Sequence, residues 1–534
     1  MRPTATPLPA RATHLGDFQV RPRLVLITAF ALPVGAIAAG AAYVLLRLIG
    51  LITNLVFYQR WGTALVAPGA GHHPWWLVLG APVAGGLVIG LMARFGSEKI
   101  RGHGMPETIE AILTGESRVA PRVAVLKPVS AAVSIGTGGP FGAEGPIIMT
   151  GGAVGSILAQ LVKLSADERK TLLVAGAAGG MAATFNAPLA SILLAVELLL
   201  FEWRPRSFVP VAAAVVVATV CRGPLLGTAP IFPVPASQAP GAAFDGLALV
   251  PGLTGGVLAI AATALVYFAE DCFGRLPIHW MWWPALGGLI IGAGGLIEPH
   301  ALGVGYDVLG QLLTGQAGLS LIVGILVVKT LVWSLSLGSG TSGGVLAPVF
   351  MIGASLGAAE GFLLPHVAPG FWAICGLAAV VGGVMRSPLT GIVFTLELTH
   401  AWPYLLPLAV ASVSAYALSV LLLKRSVLTE KIARRRLHLT REYTTDPLET
   451  FFAHEVMETG TLTDADPTVV VHPDHTLREV ANILALNHVT EAAVVDRADP
   501  ALVLGTITLA QLLHARRRDL HEEHHRERLL PAGR

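Results

Sequence analysis

One carboxylate inside a glycine-rich stretch is the side chain best placed to do chemistry in this sequence. Glu144 lies within residues 136–146 (GTGGPFGAEGP), and apolar runs precede and follow that stretch. An ionisable residue between hydrophobic segments is costly in a bilayer and usually marks a functional site. A helix that begins at Pro146 would direct its unpaired N–H groups and the positive end of its dipole back at this loop. The stretch therefore predicts an anion site beside a single acid.

The composition indicates a polytopic membrane protein. Of the 534 residues, 53% are hydrophobic and 13% are charged, whereas soluble domains carry about 25% charged residues. The net charge of +2 gives no indication of nucleic acid binding. Neither a disulfide framework nor a zinc site is indicated by Cys221, Cys272 and Cys375, which lie apart in apolar segments. Residues 521–525 match the HExxH pattern of zinc proteases, but they lie in a charged tail without a third ligand, so we predict neither a metal site nor an enzyme.

Two long apolar runs, at residues 24–57 and 75–95, are each sufficient to span a bilayer. Shorter apolar segments, interrupted by glycine and proline, continue to residue 423. Arginines are frequent before residue 24, and three more occupy residues 434–436. Because positive residues favour the cytoplasmic side, both termini are predicted to be cytoplasmic.

The short apolar segments occur twice. Lys329 follows Lys127 by 202 residues, and the same offset superimposes residues 344–348 (GVLAP) on residues 142–146 (GAEGP). Broken segments in matched positions are typical of inverted-repeat transporters, whose binding site lies between the repeats. We therefore predict an all-α membrane domain of short, tilted helices in two inverted repeats. The repeats are predicted at residues 70–215 and 275–424.

The remaining parts of the chain differ in composition from the membrane domain. Strand-like and helix-like segments alternate in the C-terminal part, which predicts a small cytoplasmic α/β domain. The predicted organisation is a cytoplasmic segment at 1–23, a membrane domain at 24–436, a linker at 437–453, an α/β domain at 454–516 and a charged tail at 517–534.

Three motifs, in this order and spacing, resemble the anion-pathway signatures of the CLC family of chloride channels and chloride/proton exchangers. They are residues 102–106 (GHGMP), 142–146 and 344–348. The resemblance covers residues 23–436 and implies the CLC fold, in a homodimer with a separate pore in each subunit. The C-terminal domain resembles a single CBS module, a unit that normally occurs in pairs. The resemblance also implies a multi-pass protein of a prokaryotic cytoplasmic membrane, with chloride and protons as its partners.

The resemblance implies a role for each site residue. Glu144 corresponds to the gating glutamate. The residues expected at the anion path are His103, Gly104, Ala143, Gly145, Val345, Leu346 and Leu428, and the prolines expected to begin the helices that face the anion are Pro106, Pro146 and Pro348. Backbone N–H groups of Val345 and Leu346 are expected to hold the central chloride.

Several positions depart from the family pattern. The better-studied form of the first motif has a serine in place of His103, and a tyrosine is expected where this chain has Leu428. An inner acid of proton-coupled members is replaced by Leu198. These departures predict passive or weakly proton-coupled chloride movement. The alternatives are a tightly coupled chloride/proton antiporter, a variant selective for fluoride or nitrate, and a non-conducting membrane sensor.

Two further acids and the C-terminal domain are predicted to have structural roles. Glu197 and Glu397 occupy matched positions in the repeats and are expected to cap helices or to form pairs within the bundle. Gln511 replaces the ribose-binding aspartate expected in a CBS module. We therefore expect a dimerisation role for the domain, without nucleotide or any other cofactor.

Overall fold

The structure is a computed structural model that describes residues 22–114, 117–235, 239–437, 447–459, 469–499 and 501–526. Most of the segment predicted at 1–23, part of the linker and the end of the chain lie outside the described residues. The side chains of the HExxH motif lie outside them as well. The described chain divides into a large helical unit up to residue 437 and a small unit that begins at residue 447.

The first half of the large unit is helical almost throughout. It contains α1 (Arg23–Tyr58), α2 (Trp75–Phe95), α3 (Met105–Thr114), α4 (Pro121–Gly136), α5 (Glu144–Gln160), α6 (Ala166–Phe185), α7 (Pro188–Leu194) and α8 (Pro205–Leu226). A π-helical segment, Ala195–Leu200, continues α7.

The second half repeats this organisation. It contains α9 (Ala242–Leu247), α10 (Leu249–Gly274), α11 (Trp283–Ile297), α12 (Tyr306–Leu313), α13 (Leu319–Gly324), α14 (Thr330–Gly338), α15 (Leu346–Glu360), α16 (Phe371–Met385), α17 (Pro388–Thr399), α18 (Leu405–Leu422) and α19 (Val427–Arg434). A π-helical segment, Ile325–Lys329, joins α13 to α14. Among the described residues, seven helical segments are long and apolar enough to cross a membrane. The prediction of an all-α polytopic membrane protein is confirmed.

The motif helices begin slightly earlier than predicted. We expected Pro106, Pro146 and Pro348 to open them, but α3, α5 and α15 begin one or two residues before these prolines. A proline in the first turn removes no helical hydrogen bond, because the first N–H groups of a helix have no partner within it. The helix can therefore start ahead of the proline, and Glu144 becomes the first residue of α5 instead of a loop residue.

Ion pairs show that three helices begin on one face of the large unit, here called the N-terminal face. Arg23 at the start of α1 pairs with Glu168 in the first turn of α6. Arg206 at the start of α8 lies 3.2 Å from Asp167, also in that turn. Helix α5 ends at the same face, because Gln160 precedes the start of α6 by only a few residues.

Helix α15 runs to the other side, here called the opposite face. Its last residue, Glu360, accepts a hydrogen bond from Thr254 near the start of α10. Helix α10 ends on the N-terminal face, where Glu270 shares a cavity with Glu98, which follows the end of α2. Helices α5 and α15 therefore start together in the interior and run to opposite faces, which shows that the two repeats are inverted.

Equivalent helices also have equivalent neighbours in the two halves. Helix α1 packs against α4, α6 and α8, and α10 packs against α14, α16 and α18. The repeats were predicted to start at residues 70 and 275, but the duplicated packing also includes the preceding helices, α1 and α10.

The small unit has a three-stranded sheet of β1 (Val470–Val471), β2 (Glu491–Val495) and β3 (Val503–Thr508), in that order. Strand β1 is parallel to β2, and β3 is antiparallel to it. Four helices accompany the sheet: α20 (Pro447–Thr450), α21 (Ala453–Val456), α22 (Leu477–Asn487) and α23 (Leu509–Arg526). Gln511 Oε1 accepts a hydrogen bond from the Thr508 N–H at 2.7 Å, so its side chain caps the start of α23. The alternation of strands and helices is as predicted, while the CBS assignment stays a prediction.

Candidate functional site

The glycine-rich loops of the two repeats meet inside the large unit. The Gly344 N–H donates to the Gly142 carbonyl at 2.7 Å, and the Gly142 N–H donates to the Gly344 carbonyl at 3.3 Å. These two residues are equivalent in the repeats, so this antiparallel bridge lies on the axis that relates them. Close approach needs glycine here, because a Cβ on Gly145 would overlap the His103 carbonyl oxygen. The N-termini of α3, α5 and α15 consequently converge on one region.

The side chain of Glu144 lies within this region. Glu144 is 0% exposed, and its carboxylate packs between Gly142 and Gly344; a Cβ on Gly344 would lie 2.5 Å from Oε2. The carboxylate faces the N–H group of Ala347 in the first turn of α15. Neither carboxylate oxygen makes a hydrogen bond of normal length and angle among the described residues, although the N–H groups of Glu144 and Ala347 lie close enough to attract the charge. A buried carboxylate without a cationic partner among the described residues thus lies at the positive ends of α5 and α15.

The other residues predicted for the central site lie around this carboxylate. Val345 is the residue before α15 and Leu346 is its first residue. At α5, Ala143 is the residue before the helix and Gly145 is its second residue, directly after Glu144. All four are buried. Because the first N–H groups of a helix have no partner within it, these two starts offer amides to an anion.

The loop that carries His103 is held by a buried lysine. Lys127 is 0% exposed, and its Nζ donates to the carbonyls of Ile100 at 2.8 Å and Gly102 at 2.6 Å. It also donates to Ser342 Oγ at 3.1 Å, which links the first motif to the loop before α15. His103 is 3% exposed, and its Nδ1 is buried without a hydrogen-bond partner among the described residues. Gly104 follows it with a φ of +86°, a conformation that favours glycine.

The two leucines that replace expected polar residues are both buried. Leu428 is in the first turn of α19, which packs against α3, and it is 0% exposed. Leu198 lies in the π-helical segment after α7 and is 2% exposed. Neither side chain can hydrogen-bond an ion, so polar contacts at these two positions must come from the backbone or from other residues.

A charged cavity of about 490 Å³ opens on the N-terminal face. Arg101, Glu107, Lys431 and Arg435 are among the residues that line it. The Glu107 side chain is 3% exposed and lies 2.7 Å from Arg435 and 3.7 Å from Lys431. Since Glu107 is on α3, this cavity gives water and ions an approach to the first motif.

Cavities on the opposite face lead to the other repeat. One, of about 540 Å³, is lined by residues that include Phe232, Tyr306 and Gln311. A smaller one, of about 90 Å³, also includes Tyr306 in its lining, together with residues 65–68 that follow α1. The converging helix starts therefore lie between approaches from two faces.

Glu197 and Glu397 cap helices of the opposite repeat. Glu397 Oε1 and Oε2 accept hydrogen bonds from the N–H groups of Leu189 and Ala190 at 3.0 and 2.8 Å, at the start of α7. Glu197 does the same at the start of α17, where it accepts from the N–H groups of Leu389 and Thr390. The predicted structural role agrees with this geometry, and the exchange of caps between repeats is an addition.

Three residues near the site were not predicted from the sequence: Lys127 in its structural role, Ser342 and Tyr306. Lys127 and its equivalent Lys329 marked the repeat, but their fully buried positions and their bonds to loop carbonyls needed the structure. Ser342 was indistinguishable from other loop serines. The signal for Tyr306 is its position directly after the glycines of a segment equivalent to the first motif.

Comparison with known proteins identifies the family of the large unit. Residues 85–420, which lie within that unit, match the family model described as voltage gated chloride channel. The H(+)/Cl(−) exchange transporter ClcA of Vibrio vulnificus (strain YJ016) is 32% identical over 402 residues, which cover 70% of this chain and 85% of that protein. The protein of the same name from Citrobacter koseri is 34% identical over 338 residues, covering 60% and 70% of the two chains.

Solved structures show the same fold. A slow cyanobacterial Cl⁻/H⁺ antiporter matches with a TM-score of 0.66 at 24% identity, over 78% of this chain and 98% of that chain. The family model covers more than half of the present sequence, and the three motifs lie at one buried junction of inverted repeats. The chain therefore belongs to the voltage-gated chloride channel (CLC) family of anion transport proteins.

Proposed function

We propose that this chain exchanges chloride for protons across a membrane, with Glu144 as the group that alternates with the anion. The observation that carries the proposal is the Glu144 carboxylate itself, which is buried at the starts of α5 and α15 without a cationic partner among the described residues. The names of the curated relatives, H(+)/Cl(−) exchange transporters, support proton coupling. They favour the tightly coupled alternative over the passive or weakly coupled movement that the sequence predicts.

The proposed mechanism follows from competition for one set of N–H groups. An ionised carboxylate and a chloride carry the same charge, so both are attracted to helix N-termini and each excludes the other. Protonation removes the charge of Glu144 and weakens its attraction to these amides. The side chain can then leave, and chloride can take its place against Val345 and Leu346. Return of the carboxylate displaces the anion, so that proton and chloride use the site in turn.

Coupling without the missing inner acid requires another route for protons on the N-terminal face. The charged cavity next to α3 brings water to within a few residues of His103. With Leu198 and Leu428 both apolar and buried, water in this cavity is the proposed source of protons. A water-fed path is expected to deliver protons more slowly than a fixed carboxyl group would.

The assembly and location form part of the proposal. We propose a homodimer with one pathway in each subunit, a prokaryotic cytoplasmic membrane, and a cytoplasmic N-terminal face. Leu189 on α7 and Leu389 on α17 are 53% and 54% exposed and lie at equivalent positions, so they suit contact with lipid or with a second subunit. The small C-terminal unit is proposed to support the dimer without binding a nucleotide, since Gln511, which replaces the expected aspartate, uses its Oε1 to cap α23.

The experiment is proton movement driven by chloride. Purified protein is reconstituted into vesicles loaded with chloride, an outward chloride gradient is imposed, and external pH is recorded. Uphill proton uptake is expected from the wild-type protein. In Glu144→Gln, proton uptake is expected to vanish while chloride efflux continues. Glu360→Gln is the matched control, because Glu360 is a partly buried acid at the far end of α15. Chloride efflux without proton uptake in the wild-type protein would establish the passive alternative.

A further inference from the structure

The loop before α12 is the counterpart of the loop that holds His103. The repeat offset of 202 residues places Gly305 on His103 and Tyr306 on Gly104. The counterpart of Lys127 is Lys329, which is also 0% exposed and donates from Nζ to the carbonyls of Gly303 at 3.0 Å and Val304 at 3.4 Å. A buried lysine thus holds each loop in the same way.

Inversion of the repeats places this second loop on the opposite face. Residues 303–307 line the small cavity together with residues 65–68, which follow the end of α1. The first loop, in contrast, borders the charged cavity of the N-terminal face through Arg101. An ion that passes Glu144 from one face to the other therefore meets the His103 loop on one side and the Tyr306 loop on the other.

Tyr306 is the residue of this loop with unused hydrogen-bonding capacity. Its hydroxyl is buried and has no hydrogen-bond partner among the described residues. Its ring packs edge-on against Phe185 and Phe232, with centroids 6.5 and 5.7 Å apart, so the hydroxyl has a defined direction. It is also close enough to Glu144 for the two groups to interact electrostatically. A buried hydroxyl without a partner is unfavourable, so a state of the protein that supplied an acceptor to Tyr306 would be stabilised.

We propose that Tyr306 is the outer positioning residue of the gate: its hydroxyl donates a hydrogen bond to the Glu144 carboxylate when that side chain moves towards the opposite face. The inference rests on the proposed function, since it requires Glu144 to leave the amides of α5 and α15. A displaced carboxylate loses the attraction of those amides, and a tyrosine O–H is a donor that can replace part of it. Other charged side chains at this loop are Lys329, whose Nζ is bound to carbonyls, and Asp307, which is exposed.

The hydrogen bond has a consequence for proton release. It favours the ionised form of the displaced carboxylate, because an O–H donor stabilises a negative charge. Tyr306 would therefore help Glu144 to lose its proton on the opposite face. Without the hydroxyl, release would require a higher pH on that side, and exchange would slow at neutral pH.

The test removes only the hydroxyl. Tyr306→Phe is compared with Tyr404→Phe, a buried tyrosine that packs against Phe371. Both are reconstituted and assayed for chloride-driven proton uptake over a range of external pH. Tyr306→Phe is expected to lower exchange at neutral pH by about threefold or more. The external pH at which exchange is half-maximal is expected to rise by up to about one unit, which corresponds to a tenfold change in the protonation equilibrium of Glu144. Tyr404→Phe is expected to behave as wild type.

A second measurement separates gating from general damage. Chloride efflux is compared between Glu144→Gln and the double variant Glu144→Gln with Tyr306→Phe. Equal efflux is expected, because the glutamine carries no charge for the hydroxyl to stabilise. A wild-type pH profile in Tyr306→Phe, or the same slowing in both backgrounds, would overturn the inference. Absence of proton uptake in the wild-type protein would refute the proposed exchange. An active wild type that Tyr306→Phe matches would refute only the role of Tyr306.

Discussion

Replacing Glu397 by glutamine tests whether the exchanged helix caps are structural. The Glu397 carboxylate accepts hydrogen bonds from two adjacent N–H groups at the start of α7, at 3.0 and 2.8 Å. Glutamine keeps one acceptor oxygen and turns an NH₂ group towards the second N–H. Since a hydrogen bond to a charged group contributes about 1.5–3 kcal/mol, the loss of one such bond and the weakening of the other should cost about 2–4 kcal/mol. Glu197→Gln should cost at least as much at α17, where the bonds from the two N–H groups are 3.3 and 2.9 Å long and the Thr390 hydroxyl donates a third.

The assay combines stability with transport. Unfolding in detergent is followed by thermal melting, and the proton-to-chloride ratio is measured in vesicles. Both variants are expected to melt at lower temperature than wild type while they keep the wild-type ratio, because a cap holds the helices and carries no proton. Glu360→Gln, at the outer end of α15, again serves as the matched control. A Glu397→Gln protein with wild-type melting and no proton uptake would refute the structural role and identify Glu397 as a step in the proton path.

Two further substitutions test the first motif. Lys127→Met removes three hydrogen bonds, to Ile100, Gly102 and Ser342. Because each unpaired buried carbonyl costs about 1–3 kcal/mol, the variant should be less stable than wild type and should bind chloride more weakly in titration calorimetry. An unchanged chloride Kd in a folded variant would contradict this. His103→Ser should retain chloride flux in ion-selective electrode measurements, because the backbone amides of α15 do not depend on the imidazole. A wild-type protein that moves fluoride or nitrate faster than chloride, and loses that preference in His103→Ser, would instead support the selective variant.

The sequence was sufficient for the fold because apolar length and motif repetition are local signals. The second spanning helix lies at residues 75–95 as predicted, and the strands and helices of the small unit follow the predicted order. The helix starts at the motifs were predicted one or two residues late. A proline indicates the first turn of a helix, but it can occupy any of the first few positions of that turn.

Contacts between the repeats could be inferred only in outline. The matched positions of Glu197 and Glu397 suggested capping or pairing, but the choice of the opposite repeat as partner depends on how the halves pack. The same holds for the Lys127 bond to Ser342, which joins residues far apart in sequence. Tyr306 lies within electrostatic range of Glu144 for the same reason, because inversion brings together residues that no local pattern connects.

The most direct test of the central claim is the position of a heavy halide in crystals of Glu144→Gln. Crystals of the wild-type protein and of the variant are grown in bromide, and anomalous scattering locates the ion. Bromide is expected in the variant where the Glu144 carboxylate lies in the wild-type protein, between Gly142 and Gly344 and facing the Ala347 N–H. Bromide absent from the starts of α5 and α15 in the variant would contradict competition between the carboxylate and the transported anion.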